Sequence, residues 1–466
     1  MEGKLPAEAI RQQKNTMNGN PKIELFAPCR VNEGILKFSN DEIDAQIRVG
    51  KKSDQTKSFF IPASGSGSRM FQFLYNYLES PDEHNTAMVE RFLNSMEDFA
   101  FYNFLPFDLK QKIEKGSFDT REVVMYILNG SGLQLGQKPK GLIPFHSMGH
   151  FAINPIQEQI LQGEDVHFTV EQMHFTIQKE FENEIKKSIS NLRKFSGPGR
   201  SIGFSYQESS TDAYGFNPDG SPALDENGEL IKRPAGHGAL LANLDLIQED
   251  IILIKNIDNI QHWDHHSVSQ RHWKLILSVL DNVQSEIYAL IDDFDLHRFE
   301  QLNSKYQLIH TSDIQNWTNN EILHSLKAPI RVCGMVRNVG QPGGGPYWVK
   351  EKNKLTKQIV EKTQISSEQQ SLIVKSTHFN PVMIALATAD ANGRKYDLNE
   401  FMDESKYLVV DKEYIGKKIR YCELPGLWNG SMSKWNTVFV EIPNEIFSPV
   451  KTVLDLLQPV HQPIKK

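Results

Sequence analysis

The stretch Phe59-Phe60-Ile61-Pro62-Ala63-Ser64-Gly65-Ser66-Gly67-Ser68-Arg69-Met70 carries the reading on which the fold turns. An apolar run enters a loop of small residues and delivers an arginine at its end. Gly65 and Gly67 place no Cβ between the backbone and a bulky anion. Successive N–H groups in such a turn form an anion-binding nest, and Arg69 adds a planar cation suited to forked contacts with phosphate oxygens. A tight Gly-Ser turn with no ligand is the plainer outcome of the same residues. The segments around it must separate the two.

The chain has 466 residues, room for two or three domains or one large α/β domain with insertions. Hydrophobic residues make up 39% and charged residues 23%, enough for a packed core. A net charge of −7 argues against gripping nucleic acid by its backbone, while a small basic pocket stays compatible with it. No apolar run approaches the roughly 20 residues needed to span a bilayer. Met1-Glu2-Gly3-Lys4-Leu5-Pro6 lacks the charged-then-apolar layout of a secretory leader. Cys29, Cys333 and Cys422 lie far apart, which suits a reducing cytoplasm better than a disulfide framework. The expectation is a cytoplasmic chain without a membrane or nucleic-acid partner.

Along the chain, strand-like pieces fall at 23–26 and 34–38. The spacing of Met88, Phe92, Met96 and Phe99 predicts an amphipathic helix over 85–104. With 107–114 and 121–128 it makes a helical insertion at 75–130. Strand and helix then alternate: 166–170 strand, 171–189 helix, 201–206 strand, 238–247 helix and 250–255 a buried strand. That alternation predicts a mixed α/β fold with a mostly parallel sheet. A long amphipathic helix is expected over 273–296. Further strands are expected at 331–336, 372–376, 407–410 and 438–442. The expected division is an extension at 1–55, a core at 56–380 and a C-terminal region at 381–466.

Four more elements carry chemistry. Lys138-Pro139-Lys140-Gly141 holds the chain extended and presents a compact charge, or else an exposed loop lysine. Gly236-His237-Gly238 at a helix start permits a flat ligand near the backbone, or is an ordinary junction. Asn256-Ile257-Asp258-Asn259 follows the strongest strand, where ligands of open α/β sheets bind. Asp258 there suits Mg²⁺, which takes hard oxygen ligands together with substrate phosphates; a plain helix cap is the alternative. The loop from Val339 to Trp348 and the following Gln358-Ile359-Val360-Glu361 put Gly344 and Glu361 where sugar hydroxyls can be met, or form a flexible turn. His262, His265, His266 and His272 crowd one segment, but no third zinc ligand is evident, so they read as surface or interface histidines. Asp293-Phe294-Asp295 has the Asp-x-Asp form of a glycosyltransferase metal motif, at the end of a helix-like stretch.

Taken in order, these elements resemble the nucleotide-diphospho-sugar transferase superfamily, in particular the UDP-sugar and UDP-N-acetylglucosamine pyrophosphorylases. The matching residues are Gly65-Ser66-Gly67-Ser68-Arg69, Pro139-Lys140-Gly141, Gln207, Gly236-His237-Gly238, Asn256-Ile257-Asp258-Asn259, Gln358-Ile359-Val360-Glu361 and His378-Phe379. The whole chain also resembles a bacterial family catalogued as a domain of unknown function. His378-Phe379-Asn380-Pro381 and Leu424-Pro425-Gly426-Leu427-Trp428-Asn429-Gly430 carry that second likeness. Ser64, Ser66 and Met70-Phe71 depart from the pyrophosphorylase loop, and their late lysine and second metal-binding aspartate have no recognisable match.

The resemblance implies a Rossmann-like core that joins a sugar 1-phosphate to a nucleoside triphosphate, UTP first, with Mg²⁺ and release of pyrophosphate. It assigns Arg69, Lys140 and Asp258 to catalysis, with Asp258 on the metal. Ser64, Gly65, Ser66, Gly67, Gln207, Gly236, His237 and Gly238 would hold the nucleotide. Asn259, Gly344 and Glu361 would face the sugar. Two alternatives predict different outcomes: a binding protein without turnover, and a glycosyltransferase using Asp293 and Asp295. A dinucleotide-dependent dehydrogenase is disfavoured, because Met70 stands at the third glycine position of its loop.

Overall fold

The computed structural model describes residues 5–49, 55–166, 170–208, 211–340, 343–352 and 354–464. The chain forms two compact units, each drawn from three segments. The first comprises Met1–Lys57, Gln207–Ile254 and Lys274–Asn444, and the second Ser58–Tyr206, Lys255–Trp273 and Glu445–Lys466. The regions expected as successive in sequence are therefore shared between units.

The second unit begins with the strand Lys57–Pro62, in which Phe59, Phe60 and Ile61 are fully buried. It lies beside Val170–Ile177, which pairs in parallel with Ser201–Tyr206. The helix Glu182–Ser196 connects the latter two as a strand–helix–strand crossover. The expected helix over 171–189 is thus corrected. Met173–Ile177 is buried without alternation, as in strands covered on both faces, while polar residues at either end gave the stretch a helical composition.

The helical insertion has its own aromatic core. Phe73, Phe92, Phe99 and Phe101 are buried together, with Phe92 and Phe99 ring centres 5.1 Å apart. Asp82 and Asp119 cap two of its helices by accepting backbone N–H bonds. The single helix expected over 85–104 stops at Asn94 and continues as two 3₁₀ turns, Met96–Asp98 and Ala100–Phe104. Val450, Val453, Leu454 and Leu456 from the end of the chain complete this core. At about 1.5–3 kcal/mol for each large apolar side chain buried, that contact fixes the C-terminal segment in place.

The first unit has strands in the order Arg30–Val31, Gly34–Leu36, Asn436–Glu441, Ile330–Arg337, Met383–Ala387, Ile251–Lys255. The first four are joined in parallel, and Met383–Ala387 runs antiparallel to Ile330–Arg337. Both units thus have the α/β character and mainly parallel pairing expected. Ile330–Arg337 is buried along seven of its eight positions, which is why it reads as a continuous apolar run. Two antiparallel sheets accompany it. Leu25–Pro28, Gly345–Glu351 and Lys354–Val360 form one, and Lys232–Arg233, Ala213–Phe216, Lys417–Glu423 and Leu408–Tyr414 the other. The strand expected over 372–376 is the helix Gln370–Lys375, whose Leu372 and Ile373 pack on Ile23, Leu25 and Tyr347. A short apolar run does not distinguish the two by periodicity. Among the described residues no helix is long and apolar enough to cross a membrane.

Candidate functional site

Two clusters of the sequence-selected residues exist, one in each unit. In the second unit the glycine-rich loop is stitched to the Pro-Lys-Gly segment. Gly67 donates its N–H to Lys138 O, and Lys140 donates its N–H to Gly65 O, both at 3.0 Å. Gly67 has a packing reason to be glycine, since a Cβ there would stand 2.3 Å from Ile143 Cδ1; Gly65 faces open space. The N–H groups of Gly65 and Ser66 donate to no described residue, and the exposed Arg69 guanidinium has no partner among them. Two glycine-flanked donors and a free cation are what an anion site requires.

Lys140 leaves that ladder with its Nζ 2.9 Å from Asp258 Oδ2 and 2.9 Å from Val450 O. Val450 N–H in turn donates to Asp258 O at 3.0 Å. The lysine and aspartate side chains keep 16% and 23% of their surface exposed, so the pair stays within reach of a ligand. Asp258 Oδ1 has no partner among the described residues, and one free carboxylate oxygen fits a hard divalent cation that takes its other ligands from phosphate and water. No cluster of three or more His, Cys, Asp or Glu side chains suited to a metal occurs among the described residues. Asn259 is 4% exposed, and its Oδ1 accepts from Ser448 N–H at 2.9 Å. Its amide oxygen is thus held by the C-terminal segment.

The reading of the histidine-rich stretch as surface or interface is corrected for two of its four members, while His265 and His266 stay partly exposed. His262 and His272 are buried, with His262 Nε2 2.9 Å from Ser147 O and His272 Nδ1 2.8 Å from Val268 O. Sequence reasoning missed the network beside them. His146 Nδ1 meets Glu158 Oε2 at 3.0 Å, and His146 Nε2 meets His461 Nδ1 at 3.0 Å. Burial pushes His146 and His461 down to about 3 and Glu158 up to about 7. Lys255, at the end of its strand, is lowered to about 7 by burial, opposed by the nearby Glu158. These groups lie in the interior and tie the C-terminal segment to the unit.

In the first unit Gln207 Nε2 donates to Ala235 O at 3.1 Å, which places it against the Gly236–Gly238 turn. His237 stacks on Trp428, with ring centres 4.2 Å apart and planes 15° from parallel. A Cβ on Gly238 would lie 2.2 Å from Pro425 O, so the turn and the Leu424–Gly430 loop meet backbone to backbone. Asn429 Nδ2 donates to Ile359 O at 3.0 Å and approaches Glu361 Oε1 at 3.5 Å. A Cβ on Gly344 would lie 3.0 Å from that same Glu361 oxygen. Burial raises the Glu361 carboxyl, with Asn429 opposing the shift. Glu361 also caps the turn Lys362–Gln364. The structure therefore joins Gln207, Gly236, His237, Gly238, Gly344 and Glu361 through Trp428 and Asn429. Those two residues stand in a motif visible in the sequence, to which the sequence alone assigns no role.

Asp295 N-caps the helix Leu296–Tyr306 by accepting from Arg298 N–H at 2.7 Å, and Asp293 is 90% exposed with Arg298 3.6 Å away. That is a helix terminus rather than a metal pair.

This two-unit α/β chain belongs to the family described as "Domain of unknown function (DUF4301)", whose model matches residues 2–462. No curated protein matches it. Among solved structures it is similar to the uridine diphosphate N-acetylglucosamine pyrophosphorylase from Trypanosoma brucei in complex with an inhibitor. The identity there is 13%, the TM-score 0.49, and the match covers 97% of this chain and 73% of that one. A mutant UDP-glucose pyrophosphorylase from Leishmania major in complex with UDP-Glc matches at 13% identity and TM-score 0.47, over 96% and 73% of the two chains. A UDP-glucose phosphorylase from Trypanosoma brucei matches at 14% and 0.43, over 94% and 69%. At that distance, any functional reading has to rest on this chain's own residues.

Proposed function

We propose that the protein joins a sugar 1-phosphate to a nucleoside triphosphate, UTP by the family resemblance, and releases pyrophosphate. The observation that carries the reading is the stitched cluster of the second unit: a glycine loop with donors and an Arg69 that have no partner among the described residues, and Lys140 bonded to a partly exposed Asp258. An oxygen of the sugar phosphate bonds to the α-phosphorus as the bond from that phosphorus to the β-bridging oxygen breaks, and pyrophosphate leaves with the electron pair. The nucleophile is already anionic, so no base has to remove a proton. The chain's task is to align the reactants and neutralise charge, which together supply most of the acceleration in phosphoryl-type transfers.

The N–H groups of Gly65 and Ser66, with Arg69, hold the departing phosphates between Ser64 and Gly67. Lys140 offsets charge at the reacting phosphate. Asp258 would hold Mg²⁺, which supplies Lewis-acid neutralisation of phosphate oxygens when bound. In the first unit Gln207 and Gly236–Gly238 are assigned to the nucleoside, and Gly344 and Glu361 to the sugar. Asn259, whose Oδ1 accepts from Ser448 N–H, is assigned to the sugar by the resemblance alone. The test is pyrophosphate release from UTP and Mg²⁺ across a panel of sugar 1-phosphates. Release with at least one sugar is expected. Stabilisation by UTP with no pyrophosphate across the whole panel would replace this reading with that of a binding protein.

A further inference from the structure

The loop Leu424–Gly430 and the ring of His237 make a set of contacts that the proposed reaction leaves unexplained. Leu427 N–H donates to His237 Nδ1 at 2.9 Å. A ring nitrogen that accepts a hydrogen bond carries no proton, so a neutral ring must carry its proton on Nε2. Trp428 covers one face of the ring. Gly426 lies against the Cε1–Nε2 edge of the ring, where a Cβ would stand 2.6 Å from His237 Cε1 and 3.1 Å from Nε2, so any larger residue there would crowd that nitrogen. The loop is itself held rigidly. Arg331, fully buried in the central strand, donates from Nη1 to Trp428 O at 2.7 Å, and Ser431 Oγ donates to Pro425 O at 2.7 Å. Asn429 adds its bond to Ile359 O. His237 Nε2 has no partner among the described residues, and the residue is only partly buried.

We propose that Gly426, the Leu427 amide and Trp428 are a positioning clamp that fixes His237 as the Nε2–H tautomer, presenting one N–H donor to an oxygen acceptor of the nucleotide. The inference rests on assigning Gly236–Gly238 to the nucleotide. A ring free to turn or to exchange tautomers would offer a donor for only part of the time, and at its other nitrogen an acceptor that repels the same oxygen. The flat indole face blocks the turn, and the amide blocks the exchange. Burial supports the neutral state by pushing the ring down to about 4. The acceptor is either a carbonyl or hydroxyl oxygen of the nucleoside or a phosphate oxygen.

The experiment is long-range ¹H–¹⁵N spectroscopy of the imidazole nitrogens in the full chain at pH 7, with His237→Gln giving the assignment. A protonated Nε2 and bare Nδ1 are expected in the wild type. Averaged tautomers are expected in Trp428→Leu, which keeps apolar volume without a flat face, and recovery in Trp428→Phe. A ring protonated on Nδ1, or a Trp428→Leu spectrum matching the wild type, overturns the clamp. Titration with uridine and separately with pyrophosphate distinguishes the acceptors: movement of the Nε2–H signal with one of them identifies its source, and movement with neither overturns the donor role. In turnover, Trp428→Leu should raise KM for UTP about tenfold, the scale of one neutral hydrogen bond, with kcat within about twofold. Equal falls in kcat and kcat/KM would overturn a ground-state positioning role. If the wild type releases no pyrophosphate, the spectra and titrations still decide the clamp, so its failure and that of the catalytic reading are separable.

Discussion

The two clusters solve opposite problems. In the second unit the groups are charged, partly exposed and left with unused capacity: Arg69 without a partner among the described residues, Asp258 with a free oxygen, Lys140 held at its tip. In the first unit they are more enclosed and fixed: His237 locked by a backbone amide, Glu361 raised by burial, Asn429 pinned to a carbonyl. Charges that must meet phosphates cannot be buried beforehand, because desolvating them without a partner costs too much. Groups that read an uncharged outline gain from burial, because a fixed donor rejects the wrong partner. Under the proposed reaction the difference separates turnover from recognition, and variants should fall on one side or the other.

The largest effect expected is at Asp258. Asp258→Ala should lower kcat by about 10³-fold or more, the scale of losing a preorganised charge at a phosphoryl centre. Lys140 keeps Val450 O as a partner, so the fold should survive. Near wild-type turnover in Mg²⁺, in protein with an unchanged melting curve, would remove Asp258 from the chemistry. Arg69→Ala comes next. With no intramolecular bond to lose among the described residues, it should leave stability alone and raise KM for the triphosphate by about 10–100-fold, more at low salt. Arg69→Lys should recover only part, since lysine lacks the planar fork. An unaltered KM would show that the phosphates bind elsewhere.

The interior network yields a pH prediction. His146 and His461, lowered to about 3, stay neutral in the fold but protonate when unfolded below about 6.5, so they withdraw stability as pH falls. Glu158, raised to about 7, holds a proton in the fold that the unfolded chain releases above about 4.5, so it adds stability as pH falls through that window. Between about pH 4.5 and 6.5 the three together leave a net slope of one proton, about 1.4 kcal/mol per pH unit, with stability rising toward pH 6.5. His461→Gln should flatten the pH dependence of the unfolding free energy, measured by urea titration at each pH, by about that amount, and Glu158→Gln should steepen it. Parallel slopes in all three proteins would show that the network does not titrate with folding.

What the sequence disclosed followed the range of the interactions. The glycine loop, Pro139-Lys140-Gly141 and Asn256–Asn259 were legible because each is a local backbone shape with its side chains attached. The pairing of Lys140 with Asp258 bridges 118 positions, and only the resemblance pointed to it. The His146–His461 contact spans 315 positions and carries no local signature, so the histidines near 262 read as surface or interface residues. Trp428 and Asn429 were visible as a motif, but their meaning depends on His237, 190 residues before Leu427 in the chain. The misread segments at 171–177 and 372–376 failed for another reason. Parallel-strand burial and a short helix both abolish the periodicity that distinguishes them.

The smallest effect expected lies outside both clusters. Asp295 accepts the N–H of Arg298 and begins a helix, a contact typically worth about 1 kcal/mol. Asp295→Ala should therefore lower stability by about that much and leave kcat and KM untouched, and Asp295→Asn, which keeps the capping oxygen, should restore most of the loss. Had the Asp-x-Asp pair held a metal for sugar transfer, both variants would abolish turnover of a UDP-sugar, and stability would respond to Mn²⁺ or Mg²⁺ in the wild type alone. A melting shift without a kinetic one places this pair with the scaffold. A kinetic loss in the asparagine variant would instead move the chemistry away from Asp258 and break the division between the two clusters.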